Sequence, residues 1–395
     1  MPVLSSGRTR PRAAAEAQRL NSRTTAAGGP RPGVAPVTAA PLGYRPSLDG
    51  LRAVAVLGVI AWHYVLPGVK GGFLGVDIFF VLSGFLITKL LVEEWDATGG
   101  IHLGRFYMRR MLRLFPAVFL LLLVTWPFVP RVWTWHALLY VTNWGILNCT
   151  LNSSAIMQLW SLSVEEQFYL VWPPLFLGLL ALKTPRKVIV GIVVLLAAGS
   201  ATFKIVAWQS IDSWSRFYFG SDARADELLI GCLLALFLSW SRLPAKPWFR
   251  ATVQVLTVPA VAWLGYLMAT SAVYLKFLYQ GGGLTWVALA TCVIILQCLI
   301  APVPPLRAFL AWRPMVVIGR MSYGLYLWHS PVSWLTDPRH YEVLPILPRP
   351  ALFVVRVILT FTIAGLSYRF LEQPLLRLKH RFEPGGRDKS VAPQP

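Results

Sequence analysis

Apolar runs of about twenty residues recur along this chain, and short polar segments separate them. A run of that length can cross a hydrocarbon core of roughly 30 Å as an α-helix. The pattern therefore predicts an all-α, polytopic membrane protein with about ten transmembrane helices. The predicted spans are 48–66, 71–92, 113–130, 164–182, 188–208, 226–241, 251–269, 283–300, 315–335 and 351–371. Segment 132–147 is left open, because it could form an extra short helix or a re-entrant one.

Lysines and arginines concentrate in the loops at one end of these predicted spans. Short basic loops normally face the cytoplasm, so we expect both termini to be cytoplasmic and the chain to be a multi-pass protein of the plasma membrane. Residues 1–43 are rich in Ala, Pro, Gly and Arg, which predicts a disordered cytoplasmic tail. Residues 44–375 then form the membrane domain, and residues 376–395 form a basic cytoplasmic tail.

The overall composition narrows the functional classes. Apolar residues make up 56% of the chain and charged residues 14%, whereas a soluble domain has about 25% charged residues. The formal charge is +20, but the basic residues show no nucleic-acid-binding pattern with interleaved aromatic residues, so we expect no nucleic-acid partner. The cysteines lack metal-ligand spacing, so we expect no metal and no permanently bound cofactor. They are Cys149, Cys232, Cys292 and Cys298.

Ionisable side chains inside predicted spans are costly to bury and are therefore functional candidates. Arg52 and His63 are eleven residues apart, which places both on one stripe of the first helix. Asp77 lies in the second span at a similar expected depth to His63. A carboxylate there would hold the imidazole in the tautomer that a general base needs. The alternatives are that Arg52 is a boundary charge and that His63 makes an ordinary interhelical hydrogen bond.

Two further groups of polar residues mark the beginnings of predicted spans. Arg110 and Arg113 begin a basic helix that is either a membrane anchor or a clamp for phosphate groups. Ser163 is expected to cap the helix that carries Glu165 and Glu166 at the outer membrane boundary. Capping explains one glutamate, whereas two carboxylates together indicate a polar cavity.

Six sequence blocks in a fixed order connect these candidates to a known family. They are the Arg52/His63 pair, Gly75–Phe85, Arg110–Pro116, Leu159–Tyr169, Ser322–His329 and Ser367–Pro374. In these blocks the chain resembles the acyltransferase-3 family of integral membrane O-acyltransferases, which includes bacterial sugar O-acetylases and macrolide O-acyltransferases. The resemblance covers about residues 44–375.

The resemblance implies an acyl-CoA donor and a carbohydrate-containing acceptor, which could be a macrolide sugar, a cell-wall glycolipid or a polysaccharide. It implies that His63 is the catalytic base or a transient acyl carrier, with Asp77 beside it. It also implies that Arg52, Arg110 and Arg113 contact coenzyme A. We assign five further residues to the acceptor or its cavity: Ser163, Glu165, Glu166, Tyr326 and His329. Some relatives carry a soluble hydrolase-like domain after the membrane part, and the sequence predicts none here.

Three alternatives come from other classes of protein. A membrane transporter or flippase of a glycan precursor would often show an internal repeat with interrupted helices, and none is visible. A non-catalytic scaffold would leave His63 and Asp77 unexplained. Ser83 and Gly84, with His329 as base, would suggest an intramembrane serine protease, but this spacing is a very weak signal. An acyltransferase is therefore the interpretation that accounts for most of the polar residues in the spans.

Overall fold

The structure is a computed structural model that describes residues 42–148, 155–211, 213–241, 247–337 and 348–378. Within those ranges it is all-helical and contains no strand, which confirms the predicted fold class. Most of the two predicted tails, namely residues 1–41 and 379–395, lies outside the described residues. Their predicted disorder and cytoplasmic location therefore stay predictions.

The helices vary widely in length. In chain order they are α1 (Pro46–His63), α2 (Gly75–Thr98), α3 (Leu103–Thr125), α4 (Arg131–Leu138), α5 (Thr142–Leu147), α6 (Leu159–Ala181), α7 (Arg186–Ala207), α8 (Trp214–Phe219), α9 (Ser221–Trp240), α10 (Pro247–Thr270), α11 (Lys276–Tyr279), α12 (Gly283–Ile300), α13 (Pro304–Leu310), α14 (Arg313–Arg320), α15 (Ser322–Leu335), α16 (Arg349–Ser367) and α17 (Gln373–Leu378). A 3-10 turn, Gly72–Leu74, leads into α2, and a π-helical turn, Tyr368–Glu372, joins α16 to α17.

Five helical segments of the described chain are long and apolar enough to cross a membrane. They are Gly72–Thr98, Arg186–Ala207, Pro247–Thr270, Gly283–Ile300 and Arg349–Leu378. The long helices α1, α3, α6 and α9 also coincide with predicted spans, but they carry charged side chains within their length. The predicted total of ten spans and the orientation of the termini stay predictions.

Two of the predicted segments are divided in the structure. The predicted span 315–335 is two helices, α14 and α15, which meet at Met321. Segment 132–147 is likewise two short helices, α4 and α5, and not one continuous helix. Ser322 therefore lies at the beginning of a helix and Asn148 at the end of one, and neither lies in the middle of a continuous span.

Helix α2 lies at the centre of the bundle, and its closest neighbour is α9. A Cβ atom at Gly84 would overlap the carbonyl oxygen of Leu228, and one at Gly231 would overlap that of Val81. These two glycines therefore let the backbones of α2 and α9 touch. Helix α1 packs on another side of α2, and α15 packs on α1. This arrangement brings the N-terminal half of α2, the end of α1 and α15 around one interior space.

Candidate functional site

His63 is the last residue of α1 and lines an interior cavity. Its Nδ1 lies 2.9 Å from the carbonyl oxygen of Val59. Because a carbonyl oxygen only accepts hydrogen bonds, Nδ1 carries the hydrogen and Nε2 is unprotonated. The side chain is half-buried and lines a cavity of about 290 Å³. Backbone geometry therefore fixes the tautomer that a general base requires.

A second histidine packs against this ring. The centroids of His63 and His329 are 4.6 Å apart, with the rings edge to face. His329 is fully buried, and its Nδ1 donates to the carbonyl oxygen of Tyr326 at 2.6 Å. Its Nε2 has no hydrogen-bond partner among the described residues. The structure thus brings together three of the residues that the sequence assigned to the site.

Tryptophans form much of the wall of the cavity around His63, which we call the histidine cavity. Trp62, Trp160, Trp214 and Trp334 all line it. Flat aromatic faces with nearby polar groups are typical of sites that hold a ring-shaped, partly polar ligand. Besides His63 and two tyrosines, the polar lining residues are Gln158, Ser330, Ser333 and Asp337. The sequence analysis did not assign these tryptophans to the site.

A second cavity, of about 270 Å³, contains the three predicted donor-binding arginines, Arg52, Arg110 and Arg113. We call it the arginine cavity. Arg52 and Arg113 make no hydrogen bond or ion pair with any residue that the structure describes. Glu165 is the acidic residue in its lining. The cavity therefore has an excess of positive charge, which suits an anionic ligand.

Arg110 is held more firmly than the other two arginines. Its guanidinium carbon lies 3.4 Å from the centroid of the Tyr169 ring, and its Nε lies 4.0 Å from Glu166 Oε1. Glu165 is fixed from two sides, because Ser83 Oγ donates to it at 2.9 Å and Tyr169 donates to it at 3.3 Å. These contacts hold one arginine in place and leave Arg52 and Arg113 available to a ligand.

The positions of Glu165, Glu166 and Ser163 require a correction. The glutamates were expected at the outer boundary, away from the basic helix start, whereas the structure places Glu165 in the arginine cavity itself. Ser163 does not cap the helix, because α6 already begins at Leu159. Its hydroxyl donates to the Leu159 carbonyl at 2.9 Å and accepts the backbone N–H of Thr142 at 3.2 Å. Ser163 therefore joins α5 to α6.

The two cavities adjoin at Val76 and Tyr326, which line both of them, and we call this shared boundary the neck. The Tyr326 hydroxyl is paired with Ser161 Oγ at 2.5 Å and donates to the Gln158 carbonyl at 3.1 Å. Tyr326 also precedes His329 on α15. A rigid aromatic side chain thus separates the arginine cavity from His63.

Asp77 does not orient His63, and this expectation is corrected. Its carboxylate is fully buried, and its Oδ1 lies 3.1 Å from Arg224 Nη2. The carbonyl of Val59 takes the orienting role that Asp77 was expected to have. The physical reason is that a fully buried carboxylate is stabilised far more by a guanidinium group than by a neutral imidazole. Arg224 provides that partner, because α2 and α9 touch.

A larger buried ionic cluster surrounds this pair. Arg224 Nη1 lies 3.1 Å from Glu227, and Lys204 lies 2.8 Å from Asp226 and 3.6 Å from Glu227. All four of these residues are fully buried. The sequence interpretation missed this cluster, although Lys204, Asp226 and Glu227 lie within predicted spans. Asp77 was selected because ionisable side chains inside spans are costly to bury, and the same reasoning applies to these three residues.

Comparison with known proteins shows the family to which the chain belongs. The family model described as an acyltransferase domain matches residues 45–369. The chain belongs to this acyltransferase family. With its membrane-length apolar helices, it is an integral membrane protein, as predicted. No solved structure matches it.

Several curated relatives are O-acetyltransferases by name. The chain is 38% identical to the peptidoglycan O-acetyltransferase OatA of Listeria monocytogenes, over 84% of this chain and 56% of the relative. It is 37% identical to the putative peptidoglycan O-acetyltransferase YrhL of Bacillus subtilis, over 84% and 55%. It is 34% identical to the O-acetyltransferase OatA of Staphylococcus aureus, over 84% and 57%. The chain therefore spans just over half the length of these relatives.

Proposed function

We propose that this protein is a membrane O-acyltransferase that moves an acyl group from acyl-CoA to a sugar hydroxyl of a glycan. The observation that carries the proposal is the neck at Val76 and Tyr326. This boundary lies between a cavity with three arginines and a cavity with an unprotonated histidine nitrogen. An anionic donor and a polar acceptor can therefore approach one reacting centre from two different spaces.

The arginine cavity suits the donor. Coenzyme A carries several phosphate groups, and guanidinium groups bind phosphate through charge-assisted hydrogen bonds. Arg52 and Arg113 have no ion-pair partner among the described residues, so a phosphate would be their counterion. Apolar side chains from α2, such as Phe79 and Leu86, line the same cavity and would cover the less polar arm of the donor. The thioester would then extend toward the neck.

The histidine cavity suits the chemistry. In the proposed reaction, His63 Nε2 takes the proton from the acceptor hydroxyl while the hydroxyl oxygen attacks the thioester carbonyl carbon. The C–O bond forms, the C–S bond breaks, and the leaving thiolate takes the proton back from the imidazolium. The products are an ester and free coenzyme A, so His63 is regenerated. The alternative in which His63 itself carries the acyl group uses the same nitrogen as nucleophile.

The acceptor assignment rests on the tryptophan wall and on the relatives. Two of the relatives are named as peptidoglycan O-acetyltransferases, and we transfer that substrate class to this chain as part of the proposal. Trp62, Trp214 and Trp334 offer faces on which a sugar ring can pack. With about 290 Å³, the cavity is at the small end of ligand sites. It therefore suits one sugar residue together with a short acyl group.

The test is acyl transfer by the purified full chain in lipid vesicles. Labelled acetyl-CoA would be supplied with soluble peptidoglycan strands, and ester-linked label on the glycan would be measured by mass spectrometry. We expect base-labile acetyl groups on the sugar and free coenzyme A in equal amounts. Movement of unmodified glycan across the vesicle membrane, with no ester formed, would replace the acyltransferase by the transporter alternative.

A further inference from the structure

A groove on the surface of the bundle lies beside the π-helical turn Tyr368–Glu372 and has a volume of about 610 Å³. Val317 and Met321 form one apolar wall, and Phe370 and Pro374 form the other. The Phe370 side chain is 69% exposed. This groove is separate from the two interior cavities and shares no lining residue with them.

The groove also carries positive charge without a countercharge of its own. Arg369 and Arg377 line it together with Gln373, and none of its lining residues is acidic. Both arginines are exposed. Neither forms an ion pair or hydrogen bond with a residue in the described part of the chain. The Arg369 guanidinium carbon lies 5.8 Å from the centroid of the Phe370 ring. A positive charge therefore lies next to the apolar wall of the groove.

The position of the groove at the end of a membrane-length helix indicates the kind of ligand. Arg349–Leu378 is one of the segments that can cross a membrane, and the groove lies at its C-terminal end. Side chains at that level meet lipid headgroups, where arginine binds phosphate and aromatic rings are favoured. A ligand that offers an anionic head and an apolar chain matches both halves of the groove.

We propose that this groove binds one anionic phospholipid. Arg369 and Arg377 hold the phosphate, and an acyl chain lies along Val317 and Phe370. Gln373 lies between the arginines in sequence and donates a further hydrogen bond to the headgroup. The ligand has net negative charge, because the ammonium group of a zwitterionic lipid would offset the phosphate charge that attracts the two guanidinium groups. This inference does not depend on the proposed acyl transfer.

The experiment is native mass spectrometry of the purified full chain, titrated with phosphatidylglycerol or phosphatidylcholine. We expect the wild-type protein to bind one phosphatidylglycerol more tightly than phosphatidylcholine. A basic residue near an anionic lipid contributes about 1 kcal/mol, so the double variant Arg369→Gln/Arg377→Gln is expected to lose about thirtyfold in phosphatidylglycerol affinity. The matched control is Arg250→Gln, which removes an exposed arginine on α10, and it should keep the preference.

Three results would overturn the inference. The first is equal affinity of the wild-type protein for both lipids. The second is an unchanged preference for phosphatidylglycerol in the double variant. The third is a loss of phosphatidylglycerol affinity in Arg250→Gln as large as that in the double variant. Competition by soluble glycerol phosphate at the same concentration would show a simple anion site and would also count against a lipid. If the double variant does not fold, the single variants Arg369→Gln and Arg377→Gln serve instead, each with an expected loss of about fivefold. Phe370→Ser tests the apolar half separately and should weaken both lipids.

Discussion

The imidazole rings of His63 and His329 meet edge to face, with their centroids 4.6 Å apart. Each Nδ1 bonds to a backbone carbonyl, so each ring has an unprotonated Nε2. Two imidazolium ions at this separation would repel each other strongly, so the pair takes up at most one proton beyond the two on the Nδ1 atoms. His329 is fully buried and His63 lines the cavity. The proton taken from a substrate therefore belongs on His63.

His63→Ala should abolish acyl transfer while the protein still inserts into the membrane and binds acyl-CoA. A sugar hydroxyl is a poor nucleophile near neutral pH, and loss of a general base costs about 10²–10⁴-fold in rate. The arginine cavity does not include His63, so donor affinity should remain. The measurements are transfer of labelled acetyl groups and donor titration on the same preparation.

His136 provides a matched control for this substitution. Its Nδ1 also contacts the carbonyl four residues earlier, that of Val132, at 2.6 Å, but it lies on α4 and lines neither interior cavity. His136→Ala should therefore transfer acyl groups at a nearly normal rate. Near-normal turnover by a well-folded His63→Ala protein would remove His63 from the mechanism.

Arg113→Ala should weaken acyl-CoA binding more than Arg110→Ala. Loss of a charge-assisted hydrogen bond to phosphate costs about 1.5–3 kcal/mol. Arg113 makes no hydrogen bond or ion pair with a described residue, whereas Arg110 is already engaged by Tyr169 and Glu166. Isothermal titration of each purified variant with acyl-CoA measures the difference.

The neighbouring Arg109 is the control for general positive charge. It pairs with Glu94 at 3.2 Å and does not line the arginine cavity. Arg109→Ala should leave donor affinity nearly unchanged. If all three alanine variants weaken acyl-CoA equally, the effect comes from the charge of the helix as a whole, and Arg110 and Arg113 become membrane anchors.

Asp77→Asn should lower stability more than it lowers the rate of the chemical step. Breaking a buried ion pair typically costs about 3–5 kcal/mol, because it leaves the other charge without its partner. Arg224 keeps Glu227 at 3.1 Å, so we expect a cost at the lower end of that range. Thermal unfolding in detergent measures it, with acyl transfer assayed well below the melting temperature.

The double variant Asp77→Asn/Arg224→Gln separates the two roles that Asp77 could have. It removes both charges of the pair and leaves Glu227 with Lys204 at 3.6 Å. If the ion pair explains the loss, Arg224→Gln should therefore cost less stability in the Asp77→Asn protein than in the wild-type protein. A fully stable Asp77→Asn protein with the same rate defect as His63→Ala would instead restore the orienting role of Asp77.

Local sequence patterns predicted the helices well, because hydrophobic runs and helix length follow from nearest neighbours along the chain. The boundaries of α7, α10 and α12 lie within a few residues of the predicted spans 188–208, 251–269 and 283–300. The break at Met321 was missed, although the polar residues Arg320 and Ser322 flank it, because so short an interruption hardly changes the hydropathy of a segment as long as a span. Periodicity does not report a turn between two apolar helices.

The roles predicted for the site residues stay predictions, and the sequence did not indicate which of these residues contact one another. His63 and the three arginines were selected because ionisable groups in membrane spans are costly to bury and are often functional. All four residues line one of the two cavities. The partner of Asp77 depends on the close contact of α2 with α9, which joins residues far apart in sequence. The meeting of Glu165 with the arginines similarly depends on how α6 packs against α2 and α3. Such pairings need the tertiary structure.

Tyr326→Ala should relax the selection of acyl length. The phenol ring forms the neck between the two cavities, and in the proposed reaction the acyl group lies beyond the neck, in about 290 Å³ shared with the acceptor. Wild-type protein should therefore favour acetyl-CoA over octanoyl-CoA. Pocket shape discriminates by about 1–3 kcal/mol per methylene-sized difference, so opening the neck should raise the octanoyl-to-acetyl rate ratio by tenfold or more.

Two controls decide whether the neck itself is responsible. Tyr326→Phe keeps the ring and loses the hydrogen bonds to Ser161 and the Gln158 carbonyl, so it should keep the acetyl preference. Phe79→Ala removes a ring whose centroid is 6.3 Å from that of Tyr326, but it opens only the arginine cavity. It should lower both rates alike. If Tyr326→Ala also lowers both rates in parallel, the neck does not select acyl length, and the size of the donor is decided before the acyl group reaches His63.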